Sequence, residues 1–493
     1  MNAEIRRLFL VLASLFFALV GMTSYWLWKA PTLEARQGNP ALVVRQVTIE
    51  RGRIYAADGR TLFASNRKRR IEGRTWYLRR YPAKGLVAQT VGYSTISRSR
   101  AGLEESLNDF LTGSNSDLHT VLDRTANKLK GLTQQGNDIV TTIDARAQEV
   151  AVAALAGKCG AAVALEPSTG RVLVIASQPS YDPNLVERRF RRATQAPGAP
   201  CRPAAPLLNR ATQGLFIPGS TFKVVTAAAA LDSGRFTPES MFTDRGYCVE
   251  YGRKVTNFSD QSGPEVFGRV DFAFALEHSV NSVFCEIGKE LGPQVVLEYA
   301  KRFGFYEKPP LETPSGERAA SGLYEGGVLF FPDDPNAADP GRLAFGQERL
   351  LVTPLQMAMV AAGIANGGVV MKPTLVDRIV APDGTIIDET APEELRRAIS
   401  ARTAAELTSM MRRVVASGTG SAAEIPGVPV AGKTGTAETG RPGENDTWFI
   451  AFAPADAPRV AVAVALQNQS GTGGGTAAPI AKAIMEAILR GNP

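Results

Sequence analysis

The 493-residue sequence contains only two histidines, His119 and His278, which leaves little room for a mechanism built on an imidazole base. It also lacks the G-x-S-x-G elbow that would carry the nucleophile of an α/β-hydrolase. A His-dependent serine hydrolase is therefore disfavoured, although His278 directly precedes Ser279 in the chain.

Cysteine is scarce as well, and its four positions are far apart, with no C-x-x-C spacing: Cys159, Cys201, Cys248 and Cys285. This arrangement disfavours a zinc site, so no metal is predicted. Outside the cytoplasm the four thiols could form disulfides in three ways, and the sequence leaves those pairings and free buried thiols open.

No nucleic-acid-binding motif accompanies the formal net charge of +7 and the pI near 9.2. The positive residues are scattered apart from the cluster Arg67–Arg70, which is better explained as a solvated face. We therefore expect no nucleic-acid partner. With 44% hydrophobic and 21% charged residues, a chain of this length has the composition of a globular protein of two or three domains.

Long apolar runs are absent except near the N-terminus, where Leu8–Trp28 carries no charged residue. About 21 residues at a rise of about 1.5 Å would cross one hydrocarbon core. Arg6 and Arg7 precede the run, so the N-terminus is expected in the cytoplasm. No convincing A-x-A-like cleavage site follows, which favours a signal anchor over a cleaved signal peptide. Residues 1–29 are predicted to be a cytoplasmic stub and a single transmembrane helix.

Residues 30–137 form a mixed region without a catalytic cluster. Val43–Ile54 is strand-like, Asp58 and Gly59 predict a turn, and residues 102–113 predict a helix. Asn66–Arg80 is too basic for a core. The region is expected to be a spacer or docking domain.

Residues 138–493 have a tighter pattern that predicts an α+β domain. Strand-like runs lie at both ends of the segment, and helical stretches lie mainly between them. That order predicts one antiparallel sheet built from both ends and flanked by helices. The strand-like runs are Ile139–Ile143, Ala161–Leu165, Arg171–Ser177, Val428–Ala431, Thr447–Ala453 and Arg459–Gln467, and the flanking helices are Ala145–Ala156 and Ala477–Leu489.

The most informative stretch is Ile217–Leu231, in which a Pro-Gly pair precedes an apolar helical run. Ser220 and Lys223 are three residues apart, so they share one face of that helix. A buried lysine loses its proton readily and could activate the hydroxyl as a nucleophile. A simple N-cap is the competing interpretation of Ser220, and the same S-x-x-K spacing recurs at Ser65.

Two further signals follow later in the chain. Ser279 and Asn281 fall in a break between two helical stretches, a weak signal because polar residues are common in such loops. The run from Lys433 to Thr436 is more specific, since it places a lysine, two threonines and a glycine at the edge of a strand. A phosphate-binding loop is rejected there, because no G-x-x-x-x-G precedes the lysine and no helix follows it.

In this order, Ser-x-x-Lys, Ser-x-Asn and Lys-Thr-Gly resemble the signature of penicillin-binding proteins and serine β-lactamases. Only the pair at Ser220 has the right successors, which separates it from the match at Ser65. The flanks PGSTFK, AGKTGTA, TPLQMAM and WFIAFAP also resemble the transpeptidase domain, from about residue 138 to the end. The residues that carry the resemblance are Ser220, Lys223, Ser279, Asn281, Lys433, Thr434 and Gly435.

A fainter resemblance covers the preceding region. Arg51–Ile54 and Gly102–Glu104 resemble the pedestal of class B, monofunctional penicillin-binding proteins, and the size and single anchor are most similar to actinobacterial members. The expected architecture is an anchor in residues 1–29, a pedestal or dimerisation-like domain in residues 30–137, and a penicillin-binding transpeptidase domain in residues 138–493. The transpeptidase domain would have the α+β fold of the serine β-lactamases.

The resemblance implies that Ser220 attacks the D-Ala-D-Ala bond of a peptidoglycan stem peptide and that Lys223 accepts its proton. Ser279 would pass a proton to the leaving amine. Asn281 would hold the lysine and the substrate amide. An amine from a neighbouring strand would then resolve the acyl-enzyme and form a cross-link.

The resemblance also implies where the substrate carboxylate binds. Lys433 would supply the positive charge for it, beside Thr434, Gly435 and Thr436. The backbone N–H groups of Ser220 and Thr436 would form the oxyanion hole. None of these roles requires a metal or a cofactor.

Two details qualify the resemblance. Glu348 stands where relatives often have a glycine, which predicts a different loop after Gly346 and Gln347. No E-x-x-L-N lies between Asn281 and Lys433, where class A β-lactamases keep their deacylating glutamate. β-Lactams are therefore expected to act as long-lived covalent inhibitors.

The leading hypothesis is a peptidoglycan D,D-transpeptidase, single-pass in the cell membrane with its catalytic domain outside the cytoplasm. A D,D-carboxypeptidase or β-lactamase on the same fold is the second hypothesis, and a penicillin-binding sensor or scaffold is the third. The class B resemblance also implies a SEDS-type glycosyltransferase as a membrane partner.

Overall fold

The computed structural model describes residues 2–34, 47–71, 73–96, 98–114, 134–260, 263–441 and 443–491. One long helix opens the chain, and the remaining helices surround two principal sheets. The described α-helices are Asn2–Glu34, Ala88–Val91, Leu103–Ser106, Asn108–Thr112, Ala145–Ala154, Phe190–Ala193, Lys223–Asp232, Phe272–Glu277, Asn281–Leu291, Pro293–Arg302, Pro340–Ala344, Pro354–Ala365, Ala401–Ala416, Gly473–Thr476 and Ala478–Arg490.

The N-terminal helix Asn2–Glu34 contains the segment Ile5–Trp26, whose mean hydropathy of 2.1 is high enough for a membrane crossing. Its apolar side chains are exposed, as lipid-facing side chains would be; Phe17, for example, is 73% exposed. It is the one helix of that length and composition in the described part of the chain. The predicted run Leu8–Trp28 therefore coincides with a helix that fits a membrane anchor.

A five-stranded antiparallel sheet, here called the main sheet, forms the centre of the C-terminal region. It pairs two early strands of that region with its last three, as predicted. The predicted run Ile139–Ile143 is the exception, because its strand Asp138–Thr141 pairs with Ile54–Tyr55 and Val376–Val380 in a different sheet. The strands of the main sheet, in spatial order, are Ala431–Arg441, Glu444–Ala453, Val460–Gln469, Gly160–Leu165 and Val172–Gln178.

Both faces of the main sheet are buried under helices. Successive residues along each strand point to opposite faces, so neighbouring residues pack against different helices. Trp448 packs on the side that holds the helices Lys223–Asp232 and Pro354–Ala365. Phe449 packs on the other side, against the helix Ala478–Arg490. The α+β arrangement of one antiparallel sheet flanked by helices is confirmed.

A six-stranded sheet, here called the pedestal sheet, combines strands from both sides of the expected boundary at residues 137 and 138. Its strands, in spatial order, are Ile386–Glu389, Val376–Val380, Asp138–Thr141, Ile54–Tyr55, Leu62–Ile71 and Arg74–Arg80. Only the pair of Ile54–Tyr55 with Asp138–Thr141 is parallel. The boundary thus falls within one hydrogen-bonded sheet.

The other described strands form small sheets around the helices. They are Met241–Asp244 with Gly268–Asp271, Tyr247–Glu250 with Arg253–Thr256, Ser259–Asp260 with Gly263–Pro264, Gly322–Glu325 with Val328–Phe330 and Leu350–Leu351, and Val369–Met371 with Glu394–Arg397.

The strand predicted over Val43–Ile54 is wrong where the structure describes it, and residues 43–46 lie outside the described residues. Residues 47 and 48 are helical, Glu50 makes an isolated bridge to Gln135, and the strand proper is Ile54–Tyr55. The physical reason is that the Arg51 side chain is buried and hydrogen-bonded to Glu104, a tertiary contact that strand propensity does not include. The turn at Asp58 and Gly59 is confirmed, with Gly59 at φ +63°.

A buried ion triad holds the pedestal together. Glu104, 0% exposed, accepts hydrogen bonds from Arg51 Nη2 at 2.8 Å and from Arg79 Nε. Burial alone would raise the pKa of Glu104, but Arg79 and Arg51 outweigh it and hold the pKa below its usual value. The two short segments that suggested a pedestal, Arg51–Ile54 and Gly102–Glu104, therefore meet in space through this carboxylate.

The four cysteines form two disulfides, Cys159–Cys201 and Cys248–Cys285. One of the three possible pairings is thereby selected, and no cysteine is free. Both bridges lie in the C-terminal region and close loops with sequence separations of 42 and 37 residues. Pairing of this kind fits a domain outside the cytoplasm.

Glu104→Gln should destabilise the pedestal, because it leaves two arginines buried without a negative charge. Removing one partner of a buried ion pair costs about 3–5 kcal/mol. Urea unfolding of the full chain in detergent measures the loss, and Glu105→Gln is the matched control because Glu105 is exposed. Equal stability of the two variants would contradict the role assigned to the triad.

Candidate active site

The segment before Ser220 is held in one conformation by close backbone contacts. Gly219 has φ +51°, and its N–H donates to the carbonyl of Gly346 at 3.1 Å. A Cβ at Gly219 would lie 3.0 Å from the carbonyl oxygen of Thr436. A glycine is required there both for the positive φ and for the close approach of the strand Ala431–Arg441.

Ser220 lies in a 3-10 turn, Gly219–Phe222, that leads directly into the helix Lys223–Asp232. Trp448 fixes the start of this turn, since its Nε1 donates to the carbonyl of Ile217 at 2.9 Å. Ser220 therefore lies at the start of that helix, as the Pro-Gly break and the apolar run predicted, and its turn packs against the strand Ala431–Arg441.

Lys223 is 0% exposed and lies inside the protein without a carboxylate partner among the described residues. Its Nζ donates to the backbone carbonyl of Ser279 at 2.6 Å, to Ser279 Oγ at 3.2 Å and to Asn281 Oδ1 at 2.7 Å. Burial, assisted by the charge of Lys433, lowers the pKa of Lys223 well below its usual value. The neutral amine, which is the form that can accept a proton, is thereby favoured.

The loop that carries Ser279 brings the second motif to the first. Ser279 adopts φ +59° in the turn between the helices Phe272–Glu277 and Asn281–Leu291. This is an uncommon conformation for a residue with a side chain. It allows both the carbonyl and the hydroxyl of Ser279 to face Lys223.

Lys433 supplies the second buried ammonium of the site. Its Nζ donates to Ser279 Oγ at 2.9 Å and to the carbonyl of Thr434 at 3.0 Å. Burial lowers the pKa of Lys433 to about 7. One hydroxyl, that of Ser279, therefore joins the lysines of the first and third motifs.

The rest of the third motif lies on the edge strand of the main sheet. Thr434 Oγ1 is 2.6 Å from Thr419 Oγ1, and Thr436 Oγ1 accepts a hydrogen bond from the N–H of Gly473 at 3.1 Å. A Cβ at Gly435 would lie 2.9 Å from the carbonyl oxygen of Pro218, so only glycine lets this strand pass the nucleophile turn.

A cavity of about 800 Å³ opens beside these groups, a size suited to a small peptide or drug-like ligand. Ser220, Ser279, Asn281, Thr434 and Thr436 all contribute to its wall. The buried lysines Lys223 and Lys433 contact this wall through their hydrogen bonds to the hydroxyl of Ser279. The structure thus brings all three predicted motifs to one cavity.

One predicted contact is not observed. The hydrogen bonds of Lys223 go to Ser279 and Asn281, and none of those described reaches Ser220. Helical spacing predicted that Ser220 and Lys223 share one face of the helix. It could not show that the Lys223 amine hydrogen-bonds to Ser279 and Asn281, which are distant in the sequence. Ser65, the second match to S-x-x-K, lies on the strand Leu62–Ile71, and its Lys68 is 61% exposed and paired with Glu50.

Thr256 and Thr419 are among the residues of the cavity wall that carried no recognisable sequence signal. Thr419 reaches Thr434 from a loop, and Asn281 Nδ2 donates to the carbonyl of Thr256 in the segment opposite. Glu348, where a glycine is frequent in relatives, also lies in the wall, and its carboxylate accepts from Arg349 Nε at 2.9 Å. His278 lines the cavity as well, and its Nε2 lies 3.6 Å from Glu277 Oε1.

Comparison with known proteins defines the class. Residues 160–486 match the family described as the penicillin binding protein transpeptidase domain. Residues 51–139 match the penicillin binding protein A dimerisation domain. The chain therefore belongs to the penicillin-binding proteins, in the class B group of transpeptidases, and the predicted family is confirmed.

Individual relatives show which members of the family the chain is similar to along its whole length. Peptidoglycan D,D-transpeptidase PbpA of Mycobacterium tuberculosis is 36% identical to this chain over the whole of both chains, and PbpA of Mycolicibacterium smegmatis is 36% identical over 99% of each. Penicillin-binding protein A from M. tuberculosis, solved as a ceftriaxone acyl-enzyme complex, covers 91% of this chain and 100% of its own with a TM-score of 0.78 and 35% identity. Its imipenem acyl-enzyme complex covers 90% of this chain and 100% of its own, with a TM-score of 0.77 and 35% identity.

Proposed function

We propose that the chain is a peptidoglycan D,D-transpeptidase that cross-links stem peptides through an acyl-enzyme on Ser220. The observation that carries the proposal is the hydrogen bonding of Ser279 Oγ to both Lys223 and Lys433 beside the cavity that Ser220 lines. A hydroxyl between two amines can pass a proton from one side of a reacting bond to the other. Relatives named peptidoglycan D,D-transpeptidase support the substrate class.

The first step is acylation. Ser220 Oγ attacks the carbonyl carbon of the penultimate D-Ala and gives its proton to the neutral amine of Lys223. Ser279 relays a proton to the nitrogen of the departing D-Ala as the peptide bond breaks. Asn281 keeps Lys223 in place through its Oδ1 at 2.7 Å. The product is an ester between Ser220 and the stem peptide, together with free D-Ala.

Substrate binding in this proposal uses the edge strand. Lys433 attracts the terminal carboxylate, and Thr434 and Thr436 offer hydroxyl groups for it along the cavity wall. The backbone N–H groups of Ser220 and Thr436 receive the oxyanion. An amine of a second stem peptide then attacks the ester carbonyl, which forms the cross-link and frees Ser220.

The anchor helix supports a location in the cell membrane. Ile5–Trp26 holds the chain in the cell membrane as a single-pass protein, and the pedestal and the catalytic domain lie on the extracytoplasmic side. The two disulfides support the extracytoplasmic location of the catalytic domain. We assign residues 30–137 to the pedestal and residues 138–493 to the catalytic domain, with a SEDS-type glycosyltransferase as the partner of the anchor and pedestal.

Ser220→Ala should abolish covalent labelling by a fluorescent penicillin, because the nucleophile is lost. Wild-type label should persist on a denaturing gel, since no class A deacylating motif lies between Asn281 and Lys433. Ser65→Ala is the matched control, because it changes the other S-x-x-K serine. Unchanged labelling of the Ser220 variant would refute the nucleophile assignment.

The rate of penicillin acylation should follow a bell-shaped pH profile. Its acid limb reports deprotonation of Lys223 and should lie well below the ordinary lysine pKa of 10.5, because burial lowers that pKa. Its alkaline limb reports loss of the Lys433 cation, whose pKa is about 7 in the free enzyme. Lys433→Arg keeps the positive charge and should lose the alkaline decline. A single rise near pH 10.5 would contradict both assignments.

Turnover of a stem-peptide thioester should yield an exchange product when a D-amino acid acceptor is added, because the acyl-enzyme is resolved by an amine. Mass spectrometry separates that product from the hydrolysed acid. The Ser220→Ala variant is the control for uncatalysed aminolysis. Hydrolysis without any exchange product would identify a D,D-carboxypeptidase instead.

A further inference from the structure

The pedestal carries a strongly basic β-hairpin that the proposed reaction does not use. Its strands, Leu62–Ile71 and Arg74–Arg80, pair in continuous antiparallel register, and neither contains an acidic residue. Residues paired directly across such a ladder share a face. The register therefore divides the basic side chains between two faces.

One face of the hairpin turns towards the pedestal, and two of its three basic side chains form ion pairs there; the third, Arg70, is exposed. Asn66 Nδ2 donates to the carbonyl of Arg51, Lys68 pairs with Glu50 at 3.1 Å, and Arg79 pairs with the buried Glu104. These contacts hold the hairpin against the first residues of the pedestal. Protein groups thus account for this face except for Arg70, which lies near the turn of the hairpin.

The opposite face, here called the arginine face, has a different composition. Its cross-strand pairs are Arg67 with Leu78, Arg69 with Trp76, and Ile71 with Arg74, followed by Arg80 opposite Ser65. All four arginines are exposed, and none of them forms an ion pair or side-chain hydrogen bond within the described residues. Trp76 and Leu78 are half-buried, and Ile71 is 39% exposed. A surface of exposed arginines interleaved with tryptophan, leucine and isoleucine has the composition of an interfacial membrane-binding element.

We infer that the arginine face docks on the anionic phospholipid headgroups of the membrane that anchors the chain. Twelve residues, 35–46, separate Glu34, the end of the anchor helix, from Val47, and a connection of that length can span no more than about 45 Å. The chain then enters the pedestal at Glu50 and Arg51, which contact the hairpin directly. The hairpin can therefore reach the bilayer through this short connection, and its charge complements that surface.

Protection of a sheet edge is the competing explanation, since Arg74–Arg80 is an edge strand and basic residues prevent edge-to-edge aggregation. That explanation accounts for the arginines but not for the large apolar side chains that alternate with them on one face. Docking on headgroups accounts for both, because the guanidinium groups pair with phosphates while Trp76 reaches the interfacial layer. The inference rests on the proposed anchor and not on the proposed acyl transfer.

The test is hydrogen–deuterium exchange of the full chain in nanodiscs of phosphatidylcholine, with and without phosphatidylglycerol. Alternate amides of the edge strand point away from its partner strand and exchange freely unless a surface covers them. Each arginine held at an anionic bilayer multiplies the bound population by about fivefold, so exchange over Arg74–Arg80 should slow at least about tenfold in anionic discs. Salt should reduce this protection.

The variant Arg67→Glu with Arg69→Glu should lose the difference between the two kinds of disc. The matched control, Arg191→Glu with Arg192→Glu, makes the same change of charge on exposed residues elsewhere and should keep it. Labelling by penicillin reports the fold of each variant and separates this result from failure of the proposed chemistry. Equal exchange in both lipids would overturn the inference, as would protection that appears only on addition of a soluble anionic wall polymer.

Discussion

Two ammonium groups are buried against the same hydroxyl oxygen, and no carboxylate neutralises either of them within the described residues. Lys223 and Lys433 both donate to Ser279 Oγ, at 3.2 and 2.9 Å, and both are 0% exposed. Burying two like charges without a counter-charge is unfavourable, so the protein relieves it by lowering their pKa values. The lowered pKa favours the neutral amine, which is the form that a proton-accepting lysine requires. Burial of the two lysines therefore causes both the unfavourable electrostatics and the lowered pKa values that the proposed chemistry uses.

Three separate parts of the chain must meet for this burial to occur. The helix Lys223–Asp232 lies in the core, the turn at Ser279 adopts φ +59°, and the strand Ala431–Arg441 passes close enough to exclude a Cβ at Gly435. None of these features is favourable in isolation, because each has a cost in strain, desolvation or backbone freedom. Packing of the main sheet on both faces supplies the stability that holds them together. The site is therefore a property of the whole α+β domain and not of any one motif.

The sequence alone was sufficient where a signal is local, and insufficient where partners are distant in the chain. Apolar periodicity predicted the anchor and most strands of the main sheet, and the order of three short motifs predicted the site residues that line one cavity. The strand expected over Val43–Ile54 was wrong, because propensity could not show that Arg51 pairs with Glu104, 53 residues away. The disulfide pairing and the position of Thr419 likewise depend on tertiary contacts. No periodicity encodes such contacts, since each is fixed only when the complete fold forms.

The basic residues of this chain show how the surroundings of a charge decide what it does. Arg51 and Arg79 are buried with Glu104 and serve stability, since the carboxylate compensates for their lost hydration. Lys223 and Lys433 are buried without an acid, and their lowered pKa values suit them to proton transfer and anion binding. Arg67 and Arg69 are exposed without an acid on a face that also carries Trp76, which suits them to a partner outside the chain. A net charge of +7 hides all three uses, because burial and pairing, and not the count of charges, determine each one.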